Sequence, residues 1–138
     1  TESFAAESYE LLENLLTKLN SNGFKCAIDD FGMGNSSLIA VKELSIDELK
    51  FDRALIKSGK DTAKDDALLK MLIDVSKELG MTVTQEGVET REDLERMRAL
   101  GCDLIQGYYY AKPMHTVDFI DFVKDDTSLA GIRQFKKQ

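Results

Sequence analysis

Apolar positions along the chain switch between two spacings, and each switch marks an element. Ala5, Leu12, Leu15, Leu16 and Leu19 recur at helical spacing after Ser3, a capping residue, and before Asn22-Gly23, which stops the turn. Residues 3–21 therefore read as a helix. A short strand is expected over 24–29, a short helix over 36–43 and a second strand over 48–52. Thr62 and Asp65 form a capping pair, and Leu68, Leu72, Val75 and Leu79 supply the apolar stripe of a long helix that Gly80 ends. A third strand is expected over 81–86. Thr90 and Asp93 repeat the capping signal, Leu94 and Met97 face inward, and Gly101 closes that helix. A fourth strand, 103–107, precedes Pro113, and 116–124 reads as helix. The tail from Arg133 to Gln138 is polar and expected to fray.

Strands alternating with helices imply βαβ units and a parallel sheet. The notable polar residues gather where strands end: Asp29 and Asp30, Lys50 and Asp52, Glu86, and Gln106. That rim carries the active site in (β/α) barrels and the ligand site in open doubly wound sheets, so position alone selects neither.

The run Cys26-Ala27-Ile28-Asp29-Asp30-Phe31-Gly32-Met33-Gly34-Asn35-Ser36-Ser37-Leu38 is the richest in chemistry. Adjacent carboxylates are hard oxygen ligands of the kind Mg²⁺ and Mn²⁺ prefer, and Gly32 and Gly34 let backbone approach closely. Successive strand residues point to opposite faces, so Asp29 and Asp30 reach one site only if the strand is ending there. The alternative is that Asp30 caps the following turn. Lys50 is either a rim charge or a group held near phosphate, and Asp52 shares its face. Glu86 stands where its strand gives way to Gly87. Glu89 either steadies that loop or adds acidic charge before a helix. Gln106 is a strand-end amide that serves loop backbone or substrate.

The motifs Ile28-Asp29-Asp30-Phe31-Gly32, Leu49-Lys50-Phe51-Asp52, Val83-Thr84-Gln85-Glu86-Gly87-Val88-Glu89-Thr90 and Leu104-Ile105-Gln106-Gly107-Tyr108 through Pro113 occur in the order seen in the C-terminal half of EAL domains, bacterial cyclic di-GMP phosphodiesterases. Thr1-Glu2-Ser3 resembles the tail of that family's Glu-Leu-Thr-Glu-Ser motif. The likeness runs from residue 1 to about 120. It implies an α/β fold, the C-terminal half of a TIM-like (β/α)8 barrel with about four parallel strands. Residues 1–125 would be that half domain and 126–138 a helical or frayed tail. The namesake Glu-Ala-Leu motif, a metal-binding Asn and the first Glu of Glu-Leu-Thr-Glu-Ser would lie upstream.

The resemblance further implies a two-metal Mg²⁺ or Mn²⁺ site that hydrolyses cyclic di-GMP to linear pGpG. Asp29, Asp30 and Glu86 would be metal ligands. Glu86, Lys50 and Gln106 would be catalytic, with Lys50 near the attacking water and Gln106 positioning water and substrate. Asp52, Glu89, Glu2 and Gly34 would support the site, Glu2 by bracing the Asp-Asp-Phe-Gly loop. Met33 and Asn35 stand where the family usually has Thr and Tyr, Phe51 where it has Ile, and Gln85 where it has Ala. The rival expectation is a degenerate module that binds cyclic di-GMP or a protein partner without catalysis. Alone, the chain is expected to lack hydrolytic activity. It is also expected to assemble, either as a homodimer of half-barrels or with an N-terminal half, because four strands leave two edges and an apolar inner face open.

Composition narrows the partners. The chain of 138 residues is 43% hydrophobic and 31% charged, with a net charge of −7, which disfavours DNA as a ligand. A small phosphodiester remains compatible, since bound cations supply local positive charge. No apolar run approaches a membrane span and no signal peptide is seen, so membrane contact is not expected and a cytoplasmic location is. Cys26 and Cys102 read as buried reduced thiols, His115 as a surface residue at a helix start, and Tyr108, Tyr109 and Tyr110 as either core or stacking groups. Asp-Phe-Gly lacks the companion motifs of a protein kinase, and the glycine turn lacks the Gly-Lys-[Ser/Thr] of a P-loop.

Overall fold

The computed structural model describes residues 2–32, 41–42, 44–57 and 62–125, with side chains from residue 9 onward except that of Lys57. The elements are α1 (Glu2–Ser21), β1 (Ala27–Phe31), β2 (Glu48–Phe51), α2 (Ala54–Lys57), α3 (Thr62–Glu78), β3 (Thr82–Gln85), α4 (Arg91–Leu100), β4 (Leu104–Ile105) and α5 (Thr116–Lys124). The strands pair in parallel in the order β1-β2-β3-β4. Each crossover returns the chain to the next position, as βαβ alternation requires. The helix expected over 36–43 is seen only as two helical residues, 41 and 42. Its remainder, with Met33, Gly34 and Asn35, lies outside the described residues, as do 126–138.

Local signals place the ends. Thr90 Oγ1 accepts from the Asp93 amide at 3.0 Å and Asp93 Oδ2 accepts from the Thr90 amide at 3.1 Å, a complete capping box for α4. Gly101 closes α4 with φ +87°, its amide donating back into the last turn. α3 is described from Thr62, already helical, with Asp65 in its first turn, and the position before it lies outside the described residues.

One face of the sheet meets the helices. Leu49, Phe51, Val83 and Val88 are fully buried there with Leu69, Ile73, Leu94 and Met97, and Phe31 stacks on Phe51 at 5.7 Å. Burial of each such side chain contributes about 1.5–3 kcal/mol. Three details depart from the sequence reading. First, α3 packs through Leu69, Ile73 and Ser76, with Leu72 at the margin, whereas Leu68, Val75 and Leu79 are exposed. Two apolar stripes compete on this helix, and the core takes the one that includes Ser76, whose hydroxyl is satisfied by the Leu72 carbonyl at 2.6 Å. Second, of the leucines expected to line α1, only Leu16 is buried, while Leu12 and Leu15 are exposed. Third, the sheet face turned away from the helices is not apolar. It carries Asp29, Glu48, Lys50, Thr82, Thr84 and Gln106, with Thr84 donating to Glu48, and among its described residues Ala27 and Leu104 are exposed apolar members. Cys26 is buried and Cys102 half-buried, and both are free thiols.

Candidate metal centre and adjoining cleft

The first strand solves the problem of two neighbouring carboxylates by bulging. Ile28 pairs with Leu49 and Phe31 with Phe51, so Asp29 and Asp30 together oppose the single residue Lys50. An extra residue of this kind bends the strand and re-aims a side chain, and it is rare in parallel pairs. Asp30 takes φ +53°, the left-handed region that Asp tolerates better than most residues. The strand thus runs on to Phe31, beyond the expected end at residue 29. The carboxylates meet because of the bulge, not because the strand stops.

Lys50 bridges the group. Its Nζ lies 2.5 Å from Glu86 Oε1 and 3.0 Å from Asp29 Oδ1. Asp29, Asp30 and Glu86 each present a carboxylate oxygen within 4.8 Å of the others. Three anions around one cation leave a net charge of −2. Glu86 first, then Asp29, pushes the Lys50 ammonium up to about 12, while Lys50 holds the Asp29 carboxyl below its ordinary value. The Asp29 side chain is 64% exposed, against 23% for Lys50 and 18% for Glu86, so among the described residues the cluster is most open at Asp29. An all-oxygen, net-negative donor set suits a hard divalent cation.

Glu86 also borders an open cleft of about 530 Å³, within the usual range for small-ligand sites. Its polar end is formed by Asp52, Arg53, Glu86, Glu89 and Gln106, its apolar wall by residues including Tyr108, Pro113, Met114 and Phe122. Asp52 does not join the carboxylate cluster. Its Oδ1 accepts from the Ala54 amide at 2.7 Å and so caps α2, a short helix that the sequence reading missed. Glu89 grips Arg53 through two contacts of 2.5 Å, which tie the loop after β3 to the residue that follows Asp52. Gln106 enters through its backbone, donating to the Gln85 carbonyl at 2.9 Å and accepting from the Val88 amide at 3.2 Å, and its side chain is exposed at the cleft. Glu2 opens α1, but its side chain lies outside the described residues. Tyr110 packs at the core margin, while Tyr108 is exposed with the Lys112 ammonium 5.6 Å above its ring. His115 precedes α5 and makes no capping bond through its side chain.

Arg53 was missed by sequence reasoning, although a cation directly after a strand-end Asp was a visible signal. Its stem lies across Gly87, where a Cβ would meet Arg53 Cβ at 2.5 Å, so glycine permits the loop after β3 to close on the loop after β2.

Residues 1–113 match the EAL domain family. The chain is 36% identical over 111 residues to the cyclic di-GMP phosphodiesterase RocR of Pseudomonas aeruginosa, covering 80% of this chain and 28% of that protein. Among solved structures, the EAL domain of Mycobacterium smegmatis DcpA matches with TM-score 0.75 and 31% identity, over 83% of this chain and 51% of that one. The manganese and cyclic di-GMP complex of Klebsiella pneumoniae BlrP1 matches with TM-score 0.65 and 33% identity, over 72% of this chain and 26% of that one. The chain therefore spans between about a quarter and a half of the length of these relatives.

Proposed function

The chain belongs to the EAL domain family, and from that premise we propose that it contributes the metal-binding half of a phosphodiesterase site that hydrolyses cyclic di-GMP to linear pGpG. The observation that carries this reading is the convergence of Asp29, Asp30 and Glu86 around Lys50. Asp29, Asp30 and Glu86 would hold divalent cations, Mn²⁺ or Mg²⁺, with further ligands from an upstream half. When bound, such cations supply an activated water and charge neutralisation at phosphorus. Lys50, fully protonated at neutral pH, offers its ammonium to a phosphate oxygen once it leaves Asp29. Glu86, which borders both the cluster and the cleft, would take a proton from water. Gln106 and Arg53 face the cleft, where they orient the nucleotide. In the reaction, water oxygen bonds to one phosphorus, the bond from that phosphorus to a ribose 3′ oxygen breaks, and the 3′ oxygen takes up a proton.

The test uses a protein carrying a complete domain. Asp29→Asn and Glu86→Gln keep size and remove charge, so hydrolysis should collapse with the fold retained. Normal hydrolysis by both variants refutes the assignment. The 138-residue chain alone should bind cyclic di-GMP weakly and hydrolyse none, and sub-micromolar binding by calorimetry would contradict this.

A further inference from the structure

Gln85 occupies a position that faces the helices, in register with Phe51 and beside Val83, and it is wholly buried. Its neighbours on that face are apolar. Yet its Nε2 donates to three backbone carbonyls: Phe51 at 3.0 Å, Asp52 at 3.1 Å and Glu86 at 3.0 Å. Two N–H groups thus serve three acceptors, and one bond is shared. Turning the amide over would set its oxygen against three oxygens, so the network fixes its orientation. Among the described residues, Oε1 has no partner, an arrangement that buried polar groups rarely adopt. Packing alone favours an apolar side chain here. The side-chain amide joins the backbone of the two residues that follow Lys50 to the backbone of Glu86, and the backbone carbonyl of Gln85 accepts from the Gln106 amide. The Arg53–Glu89 pair ties the same two loops together.

We propose that Gln85 is a positioning residue for the carboxylate cluster, holding the Glu86 peptide against the end of β2 so that Glu86 meets Asp29 and Asp30 at cation-binding distance. This rests on the reading of that cluster as a cation site. Side chains that orient metal ligands typically change affinity when lost by about 10-fold or more.

The experiment takes a protein with a complete domain and compares it with Gln85→Met and Gln85→Leu, which fill the space without donors, and with Val83→Ala, a core change on the same strand. Mn²⁺ binding is read by calorimetry, and unfolding midpoints are read in parallel. The Gln85 variants should bind Mn²⁺ about 10-fold more weakly and keep the KM for cyclic di-GMP at saturating Mn²⁺. Val83→Ala should lose midpoint and keep Mn²⁺ affinity. Mn²⁺ affinity within twofold of the unaltered protein in the Gln85 variants, or an equal weakening in Val83→Ala, overturns the inference. An unaltered protein that binds no Mn²⁺ overturns the cluster reading and the inference with it. In the unaltered protein, which avoids any folding defect, the Gln85 side-chain amide signals should exchange slowly with water and shift when Mg²⁺ is added. Rapid exchange or no shift overturns the inference.

Discussion

Replacing Gly107 with alanine perturbs the site through backbone alone. A Cβ at position 107 would stand 2.0 Å from the Val88 carbonyl oxygen, 2.5 Å from its nitrogen and 2.7 Å from its carbonyl carbon. Ordinary contact begins at 3.4 Å, so the strand end and the loop after β3 must separate by about 1.4 Å. The three nearest obstructing atoms are all main chain, so rotation of a side chain does not relieve them. Two hydrogen bonds hold that junction, Val88 to the Gln106 carbonyl at 3.2 Å and Tyr109 to the Val88 carbonyl at 3.0 Å. Their loss costs about 1 kcal/mol each, and a drop of roughly 5 °C in the midpoint of a complete domain follows. The chemical effect is larger. Val88 follows Glu86 by two residues, so the displacement moves Glu86 relative to Gln106, and a misplacement of about 1 Å costs roughly 100-fold in rate. Gly101→Ala is the control. It has φ +87° and nothing within 4 Å, so it carries backbone strain of about 1–2 kcal/mol at a helix end remote from the cleft. Cyclic di-GMP turnover and thermal unfolding, measured together, should show similar midpoints for the two variants but a rate loss for Gly107→Ala alone. Turnover within threefold of the unaltered protein in Gly107→Ala, or an equal loss in Gly101→Ala, refutes the reasoning.

Lys50→Met removes the cation that competes for Asp29 and Glu86, so Mn²⁺ affinity should hold or rise several-fold while turnover falls by about 100-fold or more, a split that calorimetry and kinetics resolve. Equal losses in both would contradict it. Burial pushes the Cys102 thiol from 9.0 up to about 11. Above pH 9 the unfolded chain releases a proton that the folded one retains, so stability falls as pH climbs from 9 towards 11. Urea unfolding should show this slope flattened in Cys102→Ser, and identical slopes refute it. The 138-residue chain should sediment at micromolar concentration as a species larger than its 15.5 kDa mass. Exposed Leu68, Met71, Val75 and Leu79 on α3, with Val117, Ile120 and Val123 on α5, provide the apolar surface for association. A single compact monomer would count against this.

The elements that the sequence displayed best are those bounded by chemistry. The Thr90–Asp93 box and Gly101 act within one turn, so α4 was legible to the residue. β2 was read to within one residue because Leu49 and Phe51 alternate with Lys50 on a half-buried surface. The face of α3 was misread because Leu68, Leu72, Val75 and Leu79 form as regular a stripe as the one that packs. Only tertiary contact decides between two such stripes, and it chose Leu69, Ile73 and a serine. In the site, residue types at strand ends were readable. The bulge was not, since period-2 reasoning places Asp29 and Asp30 on opposite faces. The signal lay in the three-residue step between Ile28 and Phe31, both of which pack towards the core. The reach of Gln85 to three carbonyls depends on strand register and has no counterpart in spacing.

The left-handed backbone at Asp30 also bears on how such a chain changes over generations. Glycine enters that conformation without the steric penalty that a Cβ brings, about 1–2 kcal/mol. Asp30→Gly would therefore make the bulge easier to form while deleting a carboxylate. As long as selection acts on the chemistry, stability and activity oppose one another at this position. Once that selection lapses, drift and the demand for a folded protein both favour loss of the aspartate. Position 30 is then among the first places where a descendant that has abandoned catalysis would record the fact.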